Sequence, residues 1–208
     1  MATVHPGATI SPTKLEIVQG WLGDQDWFDG DAASVKAGTR FSYRFDDPAG
    51  EVGVESVLAT LDGKVFQLPL TYRNSELEGG EPFFLTHMEH TALGRRWIYF
   101  GLGDPVLVNS FVSAIIAGDR SVSMEFEMDG QHQVVDTAVK AWGNGSGESV
   151  TDARINDVDR GGPVTTVHTS YGTLSVPHVL DNTLPDRERL LQGTWEGLDD
   201  DVVLATLS

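Results

Sequence analysis

Two runs, "VGVESVLATL" over 52–61 and "VFQLPLTY" over 65–72, flank the dipeptide Asp62-Gly63. Both runs are rich in β-branched and apolar residues, and Asp-Gly is the pair that a tight hairpin turn favours, because both central positions need a positive φ. The chain is thereby committed to an antiparallel sheet, and a sheet with an apolar face must be covered. Flanking segments extend the pattern. "RFSYRF" (40–45) alternates and stops at the turn-rich "DDPAG", while "FFLTHMEH" (83–90) and "RRWIYF" (95–100) read as a further strand pair joined around Leu93-Gly94.

One or two packed helices are expected to cover a largely antiparallel sheet, and two candidates stand out. One starts near Ser11-Pro12-Thr13, with Pro12 in its first turn and Thr13 and Glu16 at capping-box spacing. Leu15, Val18 and Leu22 share one face, with Trp21 beside them. The other begins at Asp104-Pro105 and closes at Gly118. Its two adjacent apolar rows, Leu107/Phe111/Ile115 and Val108/Val112/Ile116, predict a helix laid across the sheet with little exposed face.

Further on, Asp129-Gly130 is read as a second tight turn, joining "SVSMEFEM" to "QHQVVDTAVKAW". "GNGSGES" is the best linker candidate, since glycine and serine leave the backbone unrestrained. Beyond it, "VTTVHTSYGTLSVPHVL" reads as a hairpin turning near Tyr171-Gly172, "TLPDRERLLQG" as a short helix and "DVVLATL" as a last strand. The expected organisation is an α+β domain over 1–142, a linker over 143–150 and a β-rich extension over 151–208.

Composition narrows the function. The 208 residues carry 14 basic and 31 acidic side chains, a net charge of −17. Nucleic acid and anionic membrane surfaces, which bind through Lys and Arg, are therefore not expected partners. No cysteine is present, which removes disulfides, thiolate metal sites and cysteine nucleophiles. "MATVHPGATISPTK" has no basic-then-apolar leader and no stretch reaches the length of a membrane span, so a cytoplasmic protein is expected.

Local motifs yield few candidates. "DQDWFDGD" (24–31) spaces Asp24 and Asp26 like the first ligands of a calcium loop, but Phe28 and Val35 fall where later ligands belong. Trp27 and Phe28 are instead read as structural anchors with hydrated aspartates around them. His87, Glu89 and His90 sit together in "HMEH", yet on a strand His90 points away from the other two, so no metal is expected. Arg95 and Arg96, before Trp97, are suited to gripping a carboxylate or phosphate or stacking on a ring, or to neutralising neighbouring acids at a sheet edge. The candidate ligand-binding set is thus His87, Glu89, His90, Arg95, Arg96 and Trp97. "GNGSGE" fits neither a dinucleotide fingerprint nor a nucleophile elbow, and no phosphate-cradling Gly-Lys-Ser/Thr motif is present.

The order of elements carries more. Trp27, Phe28 and Gly30 open the series, Phe66 to Leu70 follow as "FQLPL", and Tyr99 to Pro105 precede the apolar helix. From about Thr13 to Gly118 this order resembles the N-terminal cap of actinobacterial maltokinases. There a Trp, an aromatic, a variable residue and Gly are followed by Lys or Arg, where this chain has Asp31. Tyr-Gln-Val-Pro-Leu and Tyr-Asp-Ala-Leu-x-Asp-Pro are the other two family patterns. The resemblance implies a cystatin-like cap, a helix wrapped by an antiparallel sheet, without implying protease inhibition. Maltokinases also need a catalytic lobe with a His-Gly-Asp loop and a metal-binding aspartate. Here the Gly-Asp pairs ending at Asp24, Asp31, Asp104 and Asp119 are preceded by Leu22, Asp29, Leu102 and Ala117, never by histidine. "GTLSVPHVLDNT" is similar to the family's Leu-Lys-Val-Phe-Arg strand, with Ser175 in place of the lysine that anchors ATP. Nothing resembles the large barrel of an α-glucan branching enzyme.

The resemblance implies a non-catalytic, stand-alone homologue of the cap without a cofactor. It would serve as an interaction or regulatory component of trehalose, maltose or α-glucan metabolism, with a kinase or glucan enzyme as partner. The alternative is a binding module for maltose, trehalose or α-glucan, using its tryptophans and tyrosines as flat faces. An enzyme of unrecognised type, centred on His87, Glu89, His90 and Arg96, is the third reading.

Overall fold

The computed structural model describes residues 2–3, 7–38, 40–128, 131–181 and 188–208. In chain order these form β1 (Ala2–Thr3), β2 (Ile10–Ser11), α1 (Lys14–Gly23), β3 (Ser42–Phe45), β4 (Gly53–Leu61) and β5 (Lys64–Arg73). Next come β6 (Phe84–His90), β7 (Gly94–Phe100), α2 (Pro105–Ala117), β8 (Met124–Met128), β9 (Gln131–Val135) and β10 (Lys140–Gly143). The rest is strand: β11 (Ile155–Asp159), β12 (Val164–Thr169), β13 (Gly172–Pro177), β14 (Leu190–Thr194) and β15 (Val202–Leu207). The fold is α+β, with two six-stranded antiparallel sheets ordered β2-β6-β7-β5-β4-β3 and β10-β14-β15-β13-β12-β11. A small third sheet, β1-β8-β9, contains the parallel pair β1–β8. Among the described residues no helix is long and apolar enough to cross a membrane.

The Asp62-Gly63 hairpin forms as its chemistry requires: Leu61 pairs with Lys64, and the two turn residues take φ of +50° and +81°. The central strands are buried on both faces, because α1 covers one side of the first sheet and α2 the other. Helix α2 also touches β10, β14 and β15, so it lies between the two large sheets. That position explains why both of its apolar rows are used. Phe111, fully buried, stacks on Tyr43 at 6.1 Å and meets Phe45 edge-on at 5.9 Å. Burying one such ring stabilises by about 2–3 kcal/mol.

Polar groups caught between these layers are paired. Asp104, completely buried, caps α2 through Val106 N–H at 3.0 Å. It also accepts from Arg73 Nε and Nη2 at 2.6 and 2.7 Å and from Thr71 at 2.7 Å. Glu55 on β4 points at α1 and meets Lys14 Nζ at 2.7 Å. Burial alone would raise its carboxyl, but the Lys14 and Arg44 charges hold it down to about 2.

Several expectations are corrected. Pro12 lies before the Thr13 cap, outside α1, and Ile17 joins Val18 and Leu22 in the core where Leu15 was expected. "QHQVVDTAVKAW" breaks into β9 and β10, which belong to different sheets. The Asp129-Gly130 turn lies outside the described residues. The helix expected in "TLPDRERLLQG" is absent from its described part, where Leu190–Thr194 is a strand paired to β10 and β15. The glycine-rich stretch is not unrestrained. Gly145 and Gly147 N–H donate to the carbonyls of Ile115 and Ile116 at 3.0 and 2.8 Å, and a Cβ on Gly143 would collide with the Ala114 carbonyl. These glycines let the chain lie against the end of α2. Gly143 itself is the last residue of β10, a strand of the second sheet.

Candidate functional site

The β6–β7 hairpin carries the residues singled out from sequence, and its register divides them. His87 pairs with Trp97 and Glu89 with Arg95 on one face; Met88 pairs with Arg96 and His90 with Gly94 on the other. On the first face Phe84, His87 and Trp97 form a partly exposed ring ladder, with centroids 4.9 and 5.2 Å apart. Arg95 Nε donates to Glu89 at 2.7 Å, an exposed pair worth little to stability. His90 turns its Nδ1 to its own turn, accepting from Ala92 and Leu93 N–H at 3.2 Å. Four of the six candidates therefore share a surface, and Arg96 and His90 do not join them. Among the described residues no group of three or more His, Asp or Glu converges as a metal ion would require.

The aromatic-acidic loop after α1 builds a second place. Trp27 stands edge-on to Trp21 at 5.9 Å and stacks on His178 at 6.0 Å; Phe28 meets Phe66 at 5.5 Å. A Cβ at Gly30 would come within 2.5 Å of Leu61 Cδ2 and 2.8 Å of Phe28 Cζ, so both side chains would have to shift to admit one. Asp31 caps the short turn at Ala32–Ser34. Trp21 in turn stacks on Phe100 at 5.8 Å and meets His178 at 4.8 Å.

Trp21, Phe100 and His178 line the floor and wall of a cleft of about 420 Å³, which opens between α1, the β6–β7 pair and the β11–β12 loop. Glu16, Asp24 and Gln25 stand on its α1 side, Thr86 on β6, and Arg160 on the opposite loop. The floor is pinned by His178, which is 1 % exposed. Its Nδ1 lies 3.1 Å from the Gln67 carbonyl, which can only accept, so Nδ1 carries the proton. Nε2, 2.8 Å from Thr165 Oγ, is then the acceptor. Burial lowers this imidazole to about 4, so it is neutral at pH 7. Gln67, also fully buried, accepts from Tyr43 Oη at 3.0 Å and donates to the carbonyls of Pro177 and Leu204 at 2.7 and 2.8 Å. Phe66 bridges to Val179 beside them, so the two large sheets are joined at the cleft floor. Sequence reasoning missed His178 and Arg160. The one available signal was Gln67, a polar residue inside the apolar run "VFQLPL".

Comparison with known families agrees with the order of elements. Residues 21–104 match the maltokinase N-terminal cap domain, beginning at the cleft residue Trp21 and ending at the α2 cap Asp104. This stretch is a maltokinase N-terminal cap-like domain. The match is narrower than the Thr13–Gly118 span read from sequence. No curated protein matches the chain.

Proposed function

We propose that this chain works by binding and not by phosphoryl transfer, as a cap-like component that contacts an enzyme of trehalose, maltose or α-glucan metabolism. The observation that carries the reading is the cap match over residues 21–104, which covers the part of a maltokinase that does not itself perform the chemistry. Phosphoryl transfer needs a positioned catalytic base and metal-binding carboxylates, and none of the Gly-Asp pairs follows a histidine. The exposed ring ladder of Phe84, His87 and Trp97 offers a contact surface of the composition that interfaces favour. Size-exclusion chromatography of the protein mixed with purified maltokinase, and separately with trehalose synthase, tests the reading. Co-elution with either supports it; independent elution from both at concentrations well above micromolar counts against it.

A second reading, a binding module for a sugar, is favoured by the Trp21-walled cleft, where a flat ring is flanked by polar side chains.

A further inference from the structure

We infer that the cleft between α1, β6–β7 and the β11–β12 loop is a binding site for a neutral mono- or disaccharide, an assignment that rests on the second reading above. Its volume, about 420 Å³, falls within the roughly 300–1,000 Å³ range of small-molecule sites. The wall is a half-buried indole, Trp21, held in place from behind by its stack on Phe100 and edge-on by Trp27 and His178. A ring fixed on several sides loses little entropy when a ligand settles on it.

The polar groups around that ring decide the class of ligand. Asp24 and Glu16 present carboxylate oxygens, acceptors only; Arg160 presents donors only, across the cleft. The side chains of Asp24 and Arg160 form no hydrogen bond or ion pair among the described residues, Arg160 lying over the Phe83 ring at 5.1 Å. Glu16 spends one oxygen on the Thr13 cap. Gln25 donates one N–H to the Trp21 carbonyl, which leaves its carbonyl oxygen and second N–H for a ligand. An anion such as phosphate would meet two carboxylates, and an organic cation would meet the guanidinium. A hydroxyl both donates and accepts, so a polyhydroxylated neutral ring satisfies all of these groups while its C–H face lies on the indole.

His178 sits beneath this site with both nitrogens bonded, so it is a positioning residue. The cleft draws Trp21, Phe100 and Thr86 from the cap-like stretch and Arg160, Thr165 and His178 from the second sheet and its loop. A bound sugar would therefore be held by both halves of the molecule.

Calorimetric titration of the full chain with glucose, maltose and trehalose, and with choline and inorganic phosphate as charged probes, tests the assignment. The expected result is saturable binding of at least one neutral sugar, with a change in tryptophan fluorescence. Asp24→Ala and Arg160→Ala, both at exposed positions, should leave Tm unchanged and weaken binding roughly tenfold each, the worth of one charge-assisted hydrogen bond. Sugar binding that survives undiminished in both variants would overturn the cleft and leave the sugar-binding reading standing elsewhere on the surface. Absence of any sugar binding would overturn both, and binding of choline or phosphate alone would replace the ligand class.

Discussion

Stability should fall between pH 6.5 and 4.5, with buried His178 driving the fall. Burial holds its imidazole at about 4, against 6.5 in an unfolded chain. Below pH 6.5 the unfolded chain takes up a proton that the folded one refuses, so each pH unit costs about 1.4 kcal/mol until the folded value is reached. Because the slope is only half developed at pH 6.5 and tapers towards pH 4.5, the loss across these two units integrates to roughly 2 kcal/mol, a substantial share of the 5–15 kcal/mol typical of a domain. Glu55, held at about 2 against an ordinary 4.5, contributes stability that begins to disappear only as pH drops below 4.5. Urea unfolding at half-unit pH steps measures the slope. His178→Gln, which can still reach Thr165 and the Gln67 carbonyl but does not titrate, should start less stable and then show a flat profile over the same window. Equal slopes in the two proteins would refute the reasoning, because the acid sensitivity would then belong to other groups.

Three further outcomes follow from the packing. Asp104→Ala strips the α2 cap and leaves Arg73 without its partner, and should cost about 3–5 kcal/mol in urea unfolding. Gly143→Ala drives a methyl group into the Ala114 carbonyl and should destabilise by several kcal/mol, whereas Gly162→Ala, with open space around it, should change Tm little. Lys14→Met leaves Glu55 buried beside Arg44 alone, which should destabilise by about 2–4 kcal/mol at pH 7 and raise the midpoint of acid unfolding.

What could be read from the residues was local. The Asp62-Gly63 turn, the Asp104–Gly118 helix with its cap and left-handed stop, and the Tyr171-Gly172 hairpin each rest on chemistry within a few residues. The two apolar rows of α2 said that it would be covered on several sides, but not that a second sheet would do the covering. Periodicity reports which residues face inward and is silent about what they meet. The glycine stretch looks flexible in one dimension, yet Gly143 and Gly145 stand where any Cβ would run into the backbone at the end of α2. The hairpin candidates were placed on the correct strands, yet only register could show that Arg96 falls on the opposite face from His87. The cleft was the least legible part. Its floor depends on a bond between Gln67 and His178, 111 residues apart, and its far wall on Arg160, which no local pattern marks.

The claim that this chain binds instead of phosphorylating can be tested in a single tube. Purified protein, Mg²⁺, ATP and maltose are incubated together and followed by phosphorus NMR, with maltokinase as the positive control. ATP resonances should persist with no phosphosugar signal over a period in which the control goes to completion. A phosphorylated sugar formed by this chain alone would contradict the claim outright.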